Sequence, residues 1–235
     1  MTSIRAVLFD TFGTVVDWRT SLIDELTAFG AGRGIAADWT TLVDDWRGEY
    51  KPSMDRVRRG EAPWTRLDDL HRASLDRLVA AAGIEGLTEV DRVYLTLGWH
   101  RLKAWPDSVA GINRLHRRFI TGPLSNGNVA LLVDIARVNG LRWDMIFGAD
   151  VYHHYKPDPE TYLGACRLLS LHPGEVMLCA AHNDDLAAAQ SHGLRTAFVP
   201  RPTEYGPRQV KDTQAAGAWD YVVATIEELA ERLDA

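Results

Sequence analysis

Cysteine is scarce: the 235-residue chain has two, Cys166 and Cys179, with no CxxC spacing. That excludes a disulfide framework and a zinc site built on paired cysteines. Both read as small core residues, and a reducing cytoplasm fits them. No apolar run approaches the ~20 residues that a membrane-spanning helix needs. The opening MTSIRAVLFD lacks the charged region, long apolar core and cleavage site of a signal peptide. Basic residues are outnumbered 26 to 32, for a formal net charge of −6. The chain therefore carries no electrostatic footprint for nucleic acid or an anionic membrane. Internal repeats and low-complexity tracts are also lacking. What is present is an ordinary globular composition, 46% hydrophobic and 25% charged. The length suffices for one large domain or a core with a smaller one inserted.

Short apolar runs bounded by turn residues recur at 6–10, 119–125, 145–150, 176–181 and 196–201. Helical patterns separate them at 109–119, 129–140, 159–171 and 184–194, two of them ending at Gly140 and Gly193. This alternation predicts a Rossmann-like α/β core, a parallel sheet with helices on both faces. Residues 17–104 break the rhythm with three or four amphipathic helical stretches and no strand. They predict a helical cap inserted after the first strand, with residues 1–16 and 105–235 forming the core. An insertion at that point lies over the strand ends as a lid.

The first strand runs AVLFD and is followed by TFGT. Asp is a poor strand residue, so Asp10 marks the strand's carboxyl end, where open α/β sheets bind ligands. Three further strand ends carry polar groups: Ser125-Asn126, Lys156, and the run His182 to Asp185. Each has a plainer reading: a strand-to-turn Asp, a turn with a helix cap, a loop lysine, a helix-start acid. In a parallel sheet, though, separate strand ends converge on one crevice, and the four can meet there.

In this order the stretches FDTFGT, PLSNGN, YKPDPETY and CAAHNDDLAAAQ resemble the motifs of the haloacid dehalogenase superfamily. The insertion matches the position of that superfamily's helical cap. Its phosphatases carry a second Asp two residues after the first, acting as general acid; here that position is Phe12, which cannot transfer a proton. Asp-x-aromatic-Gly-Thr followed by Ser-Asn-Gly resembles instead the (S)-2-haloacid dehalogenases, which use no metal. The resemblance thus implies no cofactor, no metal, and a short 2-haloacid as substrate. Arg47, in DDWRGEY, matches the arginine those enzymes bring from the cap.

The resemblance also implies roles. Asp10 would attack C2 of the substrate and form an ester that water then hydrolyses. Lys156 would keep Asp10 anionic and Thr14 would orient it. Ser125 and the backbone N–H groups of Thr11 and Phe12 would hold the substrate carboxylate. Arg47 and Asn126 would receive the halide, since an arginine cannot deprotonate. Asp185 takes the acidic position near Lys156, and Asp184 reads as a helix-start residue. His182 falls where an Asn is expected, and three roles stay open for it: holding water, acting as a base near neutrality, or filling space. Trp18, Trp46, Trp64, Trp99 and Trp105 lie in or beside the cap and read mainly as its core. Two rival functions remain on sequence alone, a Mg²⁺-dependent phosphatase and an anion-binding protein without turnover. The oligomeric state, a homodimer included, is left open.

Overall fold

The computed structural model describes residues 3–235. Its strands are β1 (Ala6–Phe9), β2 (Val16–Asp17), β3 (Lys103–Ala104), β4 (Ile120–Pro123), β5 (Val176–Ala180), β6 (Arg195–Phe198) and β7 (Tyr221–Val222). Five of them form one sheet in the order β4-β1-β5-β6-β7, every pair parallel. All four residues of β1 are fully buried. Both faces of a parallel sheet carry helices, which is why AVLF can be apolar throughout.

The helical insertion holds α1 (Trp18–Arg33), α2 (Trp39–Arg58), α3 (Leu67–Ala81), α4 (Glu89–Thr96) and a 3₁₀ turn at Leu97–Arg101. Asp17 caps α1 and Asp38 caps α2, each accepting an N–H from the first turn. Thr88 and Asp91 form a reciprocal capping box at α4. Trp18, Trp46 and Trp99 fill the interior of the insertion. Trp99 stacks on Trp18 at 6.2 Å and meets Trp46 edge-on at 5.5 Å. Phe12 reaches into this cluster from the end of β1, 5.8 Å from the Trp99 ring. Burying side chains of this size stabilises the fold by roughly 1.5–3 kcal/mol each.

The remaining helices, α5 (Ser108–Leu115), α6 (Val129–Asn139), α7 (Ala149–Tyr152), α8 (Pro159–Leu169), α9 (Asn183–Ser191) and α10 (Ile226–Arg232), pack around the sheet. Two expectations need correction. Residues 145–150 form no strand: one bridge, Leu124 to Phe147, is made before the chain turns into α7. Asp150 is needed elsewhere, because its Oδ1 accepts the Val129 N–H at the start of α6, at 3.0 Å. The insertion, expected without strands, is closed by the antiparallel pair β2 and β3, Val16 facing Ala104 and Asp17 facing Lys103.

Candidate active site

From β1 the chain crosses to β4 on one side of the sheet and later to β5 on the other. The crevice of such a sheet opens where the strand order reverses, above the carboxyl end of β1. Asp10 is the first residue beyond that end, and it is only 9% exposed. Its Oδ2 accepts hydrogen bonds from Thr14 Oγ1 at 2.8 Å and His182 Nδ1 at 3.1 Å. Its Oδ1 faces Lys156 Nζ at 3.3 Å. Thr14 is held in turn, because its Oγ1 accepts the Ala181 N–H at 2.9 Å.

Lys156 arrives from the loop before α8, and its backbone N–H donates to Asn126 Oδ1 at 2.7 Å. Its ammonium lies 2.6 Å from Asp185 Oδ2, while the Tyr162 hydroxyl donates to Asp185 Oδ1 at 2.7 Å. His182 immediately precedes α9, and its second ring nitrogen lies 2.9 Å from Glu204 Oε2. Glu204, in the segment beyond β6, is 1% exposed and also accepts from Trp18 Nε1 at 3.0 Å. Gly13 makes room for it. With φ +83° Gly13 sits in the left-handed region, and a Cβ there would stand 2.1 Å from Glu204 Oε1.

These contacts set the charges. Burial opposes ionisation of Asp10, yet Lys156, His182 and Thr14 hold its carboxyl well below the usual range. Burial also opposes charge on His182, but Glu204 and Asp10 outweigh it and hold the ring well above its ordinary value. His182 is thus an imidazolium at neutral pH, donating from both nitrogens. Burial pulls Lys156 down, and the charges of Asp185 and Asp10 more than restore it. Burial lifts the Asp185 carboxyl above its ordinary value, with Asp10 adding to the lift against the pull of Lys156.

A cavity of about 300 Å³ opens beside Asp10. Arg47, Tyr50, Met54 and Arg58 line it from α2, and their spacing puts them on one helix face. The Arg47 guanidinium lies 4.1 Å from the Tyr50 ring centre and 5.2 Å from that of Trp18. Its Nη2 is 3.9 Å from Glu204 Oε1, and its Nη1 is buried with no protein partner. The opposite wall comes from Phe12, Asn126, Lys156, Tyr162, His182 and Asp185.

The family follows from a sequence profile: that of the haloacid dehalogenase-like hydrolases matches residues 4–193. The chain belongs to that family. Among its curated relatives, (S)-2-haloacid dehalogenase 1 of Pseudomonas sp. (strain CBS-3) is 30% identical over 211 residues, spanning 87% of this chain and 89% of the relative. A solved L-2-haloacid dehalogenase is 51% identical with a TM-score of 0.97, covering 99% of both chains. A solved defluorinating L-2-haloacid dehalogenase is 46% identical with a TM-score of 0.96, covering 99% of this chain and 96% of the other.

For a haloacid dehalogenase-like hydrolase, the sequence places most of the site side chains together. Asp10, Phe12, Arg47, Asn126, Lys156, His182 and Asp185 all line the cavity. Thr14 lies behind Asp10. Thr11 and Ser125 do not line the cavity: the Ser125 hydroxyl accepts the Gly127 N–H at 3.2 Å, and the Thr11 hydroxyl is buried without a partner. Asp184 lies in the first turn of α9 and also reaches the cavity wall. None of the tryptophans lines the cavity; Trp18, Trp46 and Trp99 are interior residues, and Trp64 and Trp105 are half-buried.

Sequence reasoning misses Glu204, Tyr50 and Tyr162. Tyr50 lies one helical turn after Arg47, and Tyr162 ends the YKPDPETY stretch, so spacing could have found both. Glu204 carries no local signal. The phosphatases of this family need Mg²⁺ held by several oxygens. Here Phe12 offers no carboxylate, and both oxygens of Asp10 already face cations, so these residues do not fit a divalent metal. A group with ligand spacing, His154, Asp158 and Glu160, lies outside this cluster, and Arg58 already pairs with Asp158 at 2.7 Å.

Proposed function

We propose that this hydrolase cleaves carbon–halogen bonds of short 2-haloacids, haloacetates and (S)-2-haloalkanoates, giving 2-hydroxy acids through an ester on Asp10. One observation carries the reading: a buried, anionic Asp10 is flanked by two cations, with Phe12 where a phosphatase needs its acid. Oδ2 of Asp10 is held by Thr14 and His182, which leaves Oδ1 to attack C2 from behind the C–X bond. The C–O bond forms as the C–X bond breaks, and the halide leaves with the electron pair toward Arg47 and Asn126. Water then adds to the Asp10 carbonyl carbon, and the acyl C–O bond breaks to release the 2-hydroxy acid.

Ester formation removes the charge of Asp10, and with it one of the two carboxylates holding the proton on His182. Glu204 keeps the ring charged, so the His182–Glu204 pair holds the water and the Asp185 carboxylate takes its proton. The substrate carboxylate is assigned to the backbone N–H groups of Thr11 and Phe12, with Ser125 shaping the neighbouring loop. Residues 17–104 serve as the cap and residues 1–16 with 105–235 as the catalytic core. The two free, buried cysteines support a reducing cytoplasm. Among the described residues no helix is long and apolar enough to cross a membrane.

The test is free halide released from chloroacetate in excess EDTA, with phosphate release from phosphoglycolate measured alongside. Full halide release in the chelator is expected. Phosphate release that requires Mg²⁺, without halide release, overturns the reading. Arg47 gives a second check. Its planar fork lies against Tyr50 and Trp18, a geometry lysine cannot reproduce. Arg47→Lys is expected to lower kcat for chloroacetate at least ~10²-fold. A near-normal rate would remove Arg47 from the leaving-group site.

A further inference from the structure

Helix α3 has no cap of its own. Arg66, at its N-cap position, accepts no N–H of the first turn with its side chain. The Asp68 N–H in the first turn therefore needs an acceptor elsewhere. It finds Oδ1 of Asn128, at 3.3 Å, across the boundary between the insertion and the sheet-bearing part of the chain. Asn128 stands at the N-cap position of α6 yet does not cap that helix, a task left to Asp150. Its Nδ2 instead donates to Asp68 Oδ2 at 2.8 Å. Asn128 and Asp68 thus exchange two hydrogen bonds, and Asn128 is only 2% exposed. The far side is closed by His100, whose Nε2 lies 3.1 Å from Asp68 Oδ1 and whose Nδ1 lies 2.8 Å from Asp134 Oδ2 on α6.

Asn128 is separated from Asn126 by one residue, Gly127. Gly127 is itself fixed, its N–H donating to Ser125 Oγ and its carbonyl accepting the Ala149 N–H at 3.1 Å. The clasp thus lies two residues from Asn126, whose Oδ1 accepts the Lys156 N–H at 2.7 Å.

We propose that Asn128 and Asp68, backed by His100, form a clasp through which the helical insertion positions Asn126 and Lys156. They are positioning residues that touch no reacting atom. The inference rests on the reading above, in which Asn126 receives the halide and Lys156 supports Asp10. It accounts for an asparagine at a helix start whose side chain is diverted to another helix.

The test uses the full chain with Asn128→Asp, which sets two carboxylates face to face, and the exchange Asp68→Asn with Asn128→Asp, which restores the pair with its direction reversed. Asn128→Ala replaces the first variant should it not fold. At a temperature where circular dichroism shows every variant folded, Asn128→Asp is expected to lower kcat on chloroacetate about tenfold, and the exchange to recover most of it. Hydrogen exchange at the Lys156 amide gives a readout independent of turnover: about tenfold faster in the single variant, and near wild type in the exchanged pair. Wild-type kcat in a folded single variant, or no recovery on exchange, overturns the clasp. Unchanged Lys156 exchange overturns it as well. Should the wild type release no halide, the dehalogenase reading falls, and the amide measurement alone decides the clasp.

Discussion

A single turnover in ¹⁸O-water, with enzyme in excess over chloroacetate, is expected to yield unlabelled 2-hydroxy acid. The label should appear instead in the peptide containing Asp10. Two routes lead to the same product: Asp10 attacks carbon, or it deprotonates a water that does. In the first, the new hydroxyl oxygen comes from the carboxylate, and water oxygen enters Asp10 during hydrolysis. In the second, water oxygen goes straight to product. The geometry favours the first, because Lys156 and His182 hold Asp10 well below the usual carboxylate range. Such a carboxylate is a poor base, yet it can act as a nucleophile when held and desolvated. Asp10→Ala should lower turnover by at least ~10⁴-fold on either route, so the isotope separates them where the mutation does not. Labelled product with an unlabelled Asp10 peptide would overturn the nucleophile assignment.

The second large effect is expected at Glu204. This buried carboxylate contacts His182 at 2.9 Å and helps keep its ring charged. Glu204→Gln keeps the size but removes the charge, so the affinity of His182 for its proton falls. Ester formation needs Asp10, Lys156 and Arg47, and it should proceed. Ester hydrolysis needs the His182–Glu204 pair, and it should slow by ~10²–10³-fold. The covalent adduct on Asp10 should then accumulate and be visible by intact-mass spectrometry. The sign of the pH effect follows from the same contact. With His182 less readily protonated, any alkaline break in ester hydrolysis moves to lower pH than in the wild type. A slowed variant without adduct would mean that Glu204 shapes the pocket and takes no part in hydrolysis.

Much of this site is legible in the sequence because three of the four motifs follow a buried strand. Ala6–Phe9 and Val176–Ala180 are apolar runs that end in polar residues, so Asp10 and His182 fall at the crevice once the sheet is assumed parallel. Lys156, expected at a strand end, follows no strand and instead reaches Asp10 from the loop before α8. Arg47 needed the family pattern, since a helix periodicity alone does not separate a cavity-facing arginine from a solvated one. Glu204 was beyond reach for a physical reason. It lies in a segment between β6 and β7 with no regular structure, where no periodicity predicts which way a side chain points. Its position is fixed by Trp18 and by the missing side chain of Gly13, contacts that exist only after the chain has folded.

The two-residue ladder at Val16–Asp17 and Lys103–Ala104 makes the insertion a cassette. Its two ends meet beside each other, so the sheet registers only that the chain has left and returned. Lengthening a closed excursion of this kind is thermodynamically cheap, about 0.6 kcal/mol per doubling for a flexible loop. The helices above the crevice can therefore diverge, grow or be replaced while the strand order below stays the same. On the function proposed above, recognition and bond-breaking are then inherited separately. Arg47, Tyr50 and Met54 travel with the exchangeable piece, and Asp10, Lys156 and His182 with the permanent one. Substrate preference can drift by changes on one side of the ladder, and the carboxylate that breaks the bond need not move.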